Sequence, residues 1–222
     1  MIQNHNQSKF KSVLKSKKIQ GLALDIDETI SYTLKYWGEY LITNHGNPEN
    51  LTIDEIYLKY GYVNNYWKTD EAITWMNNAI HDDKLHEKFE VIQDADEIVQ
   101  EVNNIKPIVI YITNRPESVK NGTVKWLSKH QFPNAPIFFK PDKINFGSGG
   151  SWKGDLLKDL YPGVEGFIDD SPHLLEEISP DYKGTIYYSA HDTSPRNDIK
   201  VIPCKTWKDV LKVIREKSTK KQ

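Results

Sequence analysis

An apolar run, Leu22-Ala23-Leu24, passes directly into Asp25-Ile26-Asp27-Glu28-Thr29, and this junction constrains the chain more than any other feature. It reads as a buried strand with carboxylates at its end. Side chains alternate along a strand, so Asp25 and Asp27 start on one side and can converge on one ion or phosphoryl group just past the C-terminal edge. In open α/β sheets that edge is where ligands bind. Asp-x-Asp also occurs in turns, where it accepts local hydrogen bonds and carries no chemistry. Here Leu24, Ile26 and Ile30 make the setting half-buried, and half-buried carboxylates need a cation or a proton.

The pattern downstream supports a sheet of that kind. From Asp94 the chain alternates helix 95–102, strand 108–113, helix 116–130, strand 136–139, helix 153–160, strand 166–168, helix 173–178, strand 185–188, a short strand near Val201 and helix 207–215. This predicts an α/β fold, a Rossmann-like, mostly parallel sheet flanked by helices. The segment 32–91 breaks the rhythm. It is rich in tyrosine and tryptophan, and Thr52 and Thr69 each precede acids and helically spaced apolar residues, as helix caps do. It is therefore expected to be a small helical cap (32–91) inserted into an α/β core (19–31 and 92–216). The ends, 1–18 and 217–222, are expected to fray, the first as a short amphipathic lead-in at most. Gly147-Ser148-Gly149-Gly150-Ser151 reads as a flexible loop on the rim of a site.

Charge and cysteine content exclude several classes. The 222-residue chain has a net charge of −2 with 27% charged residues, so no overall basic field favours large nucleic acids. Cys204 is the single cysteine, which excludes a disulfide framework or a multi-cysteine metal site. No apolar stretch suits a signal peptide or membrane span. A cytoplasmic protein without membrane partners is expected.

Three later segments add chemistry to the same edge. Tyr111-Ile112-Thr113-Asn114-Arg115-Pro116 would place a hydroxyl, an amide and a guanidinium ahead of a helix N-terminus, a phosphate cradle. Gly166-Phe167-Ile168-Asp169-Asp170-Ser171 ends another apolar run in adjacent carboxylates. With Asp25 and Asp27, these give up to four acids, which suits a hard divalent cation such as Mg²⁺. Lys153, at an expected helix start, opposes the helix dipole and calls for an anion; Lys140 and Lys143 are its rivals.

In order, Asp25-Ile26-Asp27-Glu28-Thr29, Thr113, Lys153 and Asp169-Asp170 resemble the four motifs of the haloacid dehalogenase-like (HAD) superfamily, over Leu22 to Ser171. The resemblance implies a phosphatase with Asp25 as nucleophile and Asp27 as general acid and base. Thr113 and Lys153 would bind the phosphoryl group. Mg²⁺ would be held by Asp25, the backbone carbonyl of Asp27, and Asp169 or Asp170. Members that cleave other bonds lack an acid at the second position, so Asp27 points to phosphate esters. Thr29, Asn114 and Arg115, with Tyr32 and Tyr36 from the cap, are the candidate substrate contacts. The cap, with Thr-Asn-Arg and Ile-Asp-Asp, is also similar to the small deoxyribonucleotidases. The substrate expected is a small phosphomonoester, with a nucleoside monophosphate as one candidate. A phosphoprotein or nucleic-acid-end phosphatase, and a non-catalytic binding module on the same fold, are the alternatives.

Overall fold

The computed structural model describes residues 2–144 and 148–219. Six strands, β1 (Gly21–Leu24), β2 (Ile108–Pro116), β3 (Ile137–Lys140), β4 (Val164–Asp169), β5 (Thr185–Ser189) and β6 (Lys200–Cys204), form one sheet in the order β3-β2-β1-β4-β5-β6. Every neighbouring pair is parallel. Strand order reverses between β1 and β4, the topological switch point at which doubly wound sheets open a crevice.

Burial on both faces explains why the strands are short and apolar. Leu22 and Leu24 of β1 join one apolar layer with helices α6 (Ala95–Ile105), α7 (Lys120–Lys129) and α10 (Trp207–Thr219). Ala23 points the other way, into a layer with α1 (Ile2–Ser16), α8 (Gly149–Leu160) and α9 (Pro172–Glu177). The N-terminal segment is thus a helix docked by buried Leu14 and not a frayed lead-in. At the other end α10 carries the chain in helix to Thr219.

Between β1 and α6 lie four helices, α2 (Thr33–His45), α3 (Ile53–Tyr60), α4 (Val63–Tyr66) and α5 (Asp70–Ile80), and a 3₁₀ turn at Leu85–Glu87. Thr52 closes a capping box on α3 with Glu55, and Thr69 caps α5. The inserted helices have their own apolar cluster, built on Leu41, Ile56, Val63, Trp67, Ala72 and Met76. The chain enters and leaves side by side: Tyr32 N–H donates to the Glu90 carbonyl and Ile92 N–H to that of Ile30, both at 2.9 Å.

Two local expectations fail for steric reasons. Gly149, Gly150 and Ser151 are the first turn of α8 and not a loop; Gly147 lies outside the described residues. A Cβ on Gly149 would sit 2.5 Å from Asn114 Oδ1, and one on Gly150 2.4 Å from the His173 carbonyl oxygen, so glycine is needed for α8 to pack this closely. Strand β2 also outruns its expected end. Thr113 pairs with Phe139 and Pro116 with Lys140, leaving Asn114 and Arg115 as a bulge, and α7 starts only at Lys120. Thr113-Asn114-Arg115 therefore does not sit at a helix N-terminus.

Candidate active site

Where β1 ends, Asp25 N–H still bonds the Ile168 carbonyl of β4 at 3.0 Å, which sets Asp25 beside Asp169 at the switch point. Asp25 keeps the strand alternation and faces α8. There Lys153, in the second turn of that helix and not at its start, lies 2.7 Å from Asp25 Oδ2 and 2.7 Å from Asp169 Oδ2. The rival lysines are elsewhere: Lys140 donates to the Ile144 carbonyl at 2.6 Å, and Lys143 is exposed.

Asp25, Asp169 and Asp170 bring carboxylate oxygens within 4.8 Å of one another. Three acids lie around one ammonium group, which contacts Asp25 and Asp169. Burial pushes the Asp25 carboxyl well above the usual range; Lys153 opposes this, while Asp169, Asp170 and Asp27 reinforce it. Asp170 is raised likewise by burial and by its acidic neighbours. For Lys153 burial favours loss of the proton, but Asp169 and Asp25 outweigh it and hold the group charged. Among the described residues, Asp25 Oδ1 is buried without a hydrogen-bond partner. An orphaned carboxylate oxygen amid excess negative charge fits a divalent cation, held by Asp25, Asp169 and Asp170.

Asp27 does not join this group. The chain leaves the sheet after Leu24, where Ile30 and Ser31 N–H both bond the Ile26 carbonyl, so the strand alternation that would align Asp27 with Asp25 ends. Its carboxylate turns instead to Arg115, whose Nε lies 3.0 Å from Oδ1 and 3.1 Å from Oδ2, and whose Nη2 lies 2.7 Å from Oδ1. Thr33 also donates to Oδ1, and Thr113 Oγ1 stands 3.4 Å from Oδ2. Burial raises the Asp27 carboxyl, but the Arg115 charge, its hydrogen bonds and that of Thr33 win and bring it down to about 2. Asp27 thus rests as a carboxylate, poised to accept a proton and not to give one.

Other expected contacts have different partners. Arg115 is buried, and its guanidinium group is committed to Asp27, Thr123 and Ser31. Thr29 is fully buried, and its hydroxyl donates to Asp170 Oδ1 at 2.8 Å while its carbonyl accepts from Trp207 Nε1 at 3.0 Å. It orients an acid. Thr113, also fully buried, accepts from Arg115 N–H at 3.2 Å. Asn114 keeps a buried Oδ1 without a partner among the described residues. Tyr36 packs edge-on against Phe89, and Tyr32 lies under the Lys35 ammonium group. The cap tyrosine that feels Asp170 and Glu28 is Tyr57, whose phenol is pushed up to about 12 by burial and by those charges.

Sequence reasoning missed two further groups. His191 Nε2 donates to the Asp170 carbonyl at 3.0 Å, its ring stacked 3.8 Å from Tyr188; no motif spacing signals it. Glu28 accepts the Leu34 N–H at 2.6 Å in the first turn of α2 and is pushed up to about 7, chiefly by burial, with Asp27 adding to the shift. Its neighbours in the first motif were the available signal.

The sequence profile of the LNS2 domain of PITM 1–3 matches residues 68–165. That span includes Thr113, Arg115 and Lys153 but neither carboxylate strand end. Membrane-associated phosphatidylinositol transfer protein 3 from mouse and from human is 40% identical over 51 residues, which is 23% of this chain. The match spans only 5% of the length of those relatives. Among solved structures, a HAD-superfamily hydrolase from Ehrlichia chaffeensis aligns with 89% of this chain and 98% of its own, at TM-score 0.49 and 14% identity. A haloacid dehalogenase-like hydrolase from Xanthomonas campestris aligns with 91% and 98%, at TM-score 0.42 and 15% identity. No helix among the described residues is long and apolar enough to cross a membrane.

Proposed function

We propose that the chain is a HAD-type, Mg²⁺-dependent phosphatase that hydrolyses a small phosphomonoester through an aspartyl-phosphate on Asp25. The observation that carries this reading is the orphaned Asp25 oxygen at a switch point furnished with Asp169, Asp170 and Lys153. When bound, the cation would offset negative charge where carboxylate meets phosphate. Asp25 and Asp169 or Asp170 would hold it, with the backbone carbonyl of Asp27.

The residues of the chain divide the rest of the work. Lys153 keeps Asp25 aimed and supplies a positive charge to the phosphoryl oxygens. An Asp25 oxygen attacks phosphorus, and the ester P–O bond breaks with its electron pair on the leaving oxygen. Water then attacks the phosphorus, Asp27 takes its proton, and the Asp25–phosphorus bond breaks to restore the carboxylate. The proton taken by Asp27 balances the one the leaving oxygen needs, so ester and water yield alcohol and phosphate. Thr113, beside Asp27, is suited to steady the transferring group. The half-buried Tyr57 on the inserted helices supports a substrate small enough to fit beneath them.

Asp25→Asn should abolish turnover of para-nitrophenyl phosphate in Mg²⁺, and EDTA should abolish that of the unmodified protein. Wild-type rates in either case would refute the reading. The likeness to a phosphatidylinositol transfer protein favours a second reading, in which the phosphoryl group sits on a phospholipid headgroup. Hydrolysis of a phosphoinositide in preference to soluble esters across a substrate panel would select it.

A further inference from the structure

We propose that Arg115 is a positioning residue that fixes which oxygen of Asp27 handles the proton, leaving Oδ2 as the working atom. The inference rests on the phosphatase reading. Oδ1 has three donors: Nε at 3.0 Å, Nη2 at 2.7 Å and the Thr33 hydroxyl. Among the described residues Oδ2 has only the shared Nε at 3.1 Å and the Thr113 hydroxyl at 3.4 Å, the edge of hydrogen-bonding range. Three donors leave Oδ1 no lone pair with which to take a proton from water, whereas on Oδ2 one contact is shared with Oδ1 and the other is released by rotation of the Thr113 hydroxyl.

The guanidinium group is itself held from three other sides. Nη1 donates to Thr123 Oγ1 of α7 at 3.1 Å, Nη2 reaches Ser31 Oγ at 3.4 Å, and the group lies 5.5 Å over the Phe89 ring. The bulge at Asn114-Arg115 aims it there. A planar fork anchored on both edges sets the plane of the carboxylate it grips, which a lysine cannot do.

The test separates the two halves of the reaction, using ³²P-labelled para-nitrophenyl phosphate and Mg²⁺ in rapid-quench experiments. Arg115→Met and Arg115→Lys should keep the burst of nitrophenolate, which reports attack by Asp25. Steady-state turnover should fall about 100-fold, with labelled protein accumulating and KM falling with kcat. Asp27→Asn should behave the same way, and Arg115→Met should add nothing to it, as expected for residues acting as a unit. Loss of the burst, a rise in KM alone, or an additive double variant would overturn the proposal. Thr123→Val, which removes one anchor and leaves the Asp27 contacts in place, should slow turnover roughly threefold to fivefold with the burst intact; an unchanged rate would also overturn it. This variant carries the test if Arg115→Met does not fold. Absence of labelled protein in both the wild type and Asp27→Asn would instead refute the phosphatase reading.

Discussion

Asp25 and Asp27 stand two residues apart, yet the protein treats them in opposite ways. The Asp25 side chain is 6% exposed and that of Asp27 28%. Depth alone is not what separates them, because burial is the largest upward push on both. Stoichiometry decides. Asp27 has a guanidinium group to itself and falls to about 2, whereas Asp25 and Asp169 divide one ammonium group in the presence of Asp170. One region is complete in its charges and the other has negative charge to spare. A cation-binding site differs from a structural ion pair in this imbalance.

The sharpest way to break the comparison is Lys153→Met. It leaves three carboxylates facing one another with no cation, and should cost about 3–5 kcal/mol in urea unfolding in EDTA. Arg115→Met should cost less, since Asp27 is the more exposed partner and can rehydrate. If Lys153→Met proved the milder of the two, the Asp25 region would not be the charge-strained one. Next in size is the effect of the ion. Mg²⁺ at about 100 times its Kd should stabilise the wild type by about 2.7 kcal/mol. Asp170→Asn should lose that response, whereas Asp27→Asn should keep most of it, because the Asp27 carboxylate is outside the cluster. Equal loss in both would merge the two regions into one site.

The sequence shows the half of this arrangement that regular structure governs. Asp25 and Asp169 sit at the ends of two strands, which the apolar runs before them locate, and Lys153 sits on a helix between them in sequence. The Asp27 half depends on events without periodicity. The chain turns off the sheet after Leu24, and β2 bulges at Asn114-Arg115, which points the arginine at Asp27. The start of α8 at Gly149 is hidden from the sequence for a similar reason. Gly149 and Gly150 resemble a loop until the Asn114 and His173 atoms that forbid a Cβ are known. The cap tyrosines divide likewise: Tyr57, on a capped helix, faces the carboxylates, while Tyr36, nearer in sequence, is absorbed by Phe89.

Glu28 extends the comparison to pH. Its folded value, about 7 against an ordinary 4.5, means that the folded state keeps a proton the unfolded chain has released between those limits. Stability from this group therefore falls as pH rises from 4.5 to 7, by about 2 kcal/mol once partial exposure is allowed for. Asp27 has the opposite sign: its contribution is present above 3.8 and is lost as pH falls through about 2. Glu28→Gln keeps an acceptor for the Leu34 N–H and has no charge to lose. In EDTA, the variant minus wild-type stability should grow between pH 5 and 8. A difference that stays flat would show that the folded protein does not hold Glu28 neutral.

The smallest effect is the most local. Thr29 and Thr33 each donate one hydroxyl hydrogen bond to a carboxylate, Thr29 to Asp170 Oδ1 and Thr33 to Asp27 Oδ1. Valine in place of either keeps the shape and removes the bond. Asp27 Oδ1 retains two contacts from Arg115, so Thr33→Val should cost no more than about 0.5 kcal/mol. Asp170 has no such reserve. The contact from His191 goes to its backbone carbonyl and not its carboxylate, so Thr29→Val should cost about 1–1.5 kcal/mol. It should also weaken Mg²⁺ binding, which Thr33→Val should leave alone. Matched losses from the two substitutions would mean that Arg115 does not fill Asp27 Oδ1 in solution, and the division between a complete and an incomplete carboxylate would fail at the atom where it is most finely drawn.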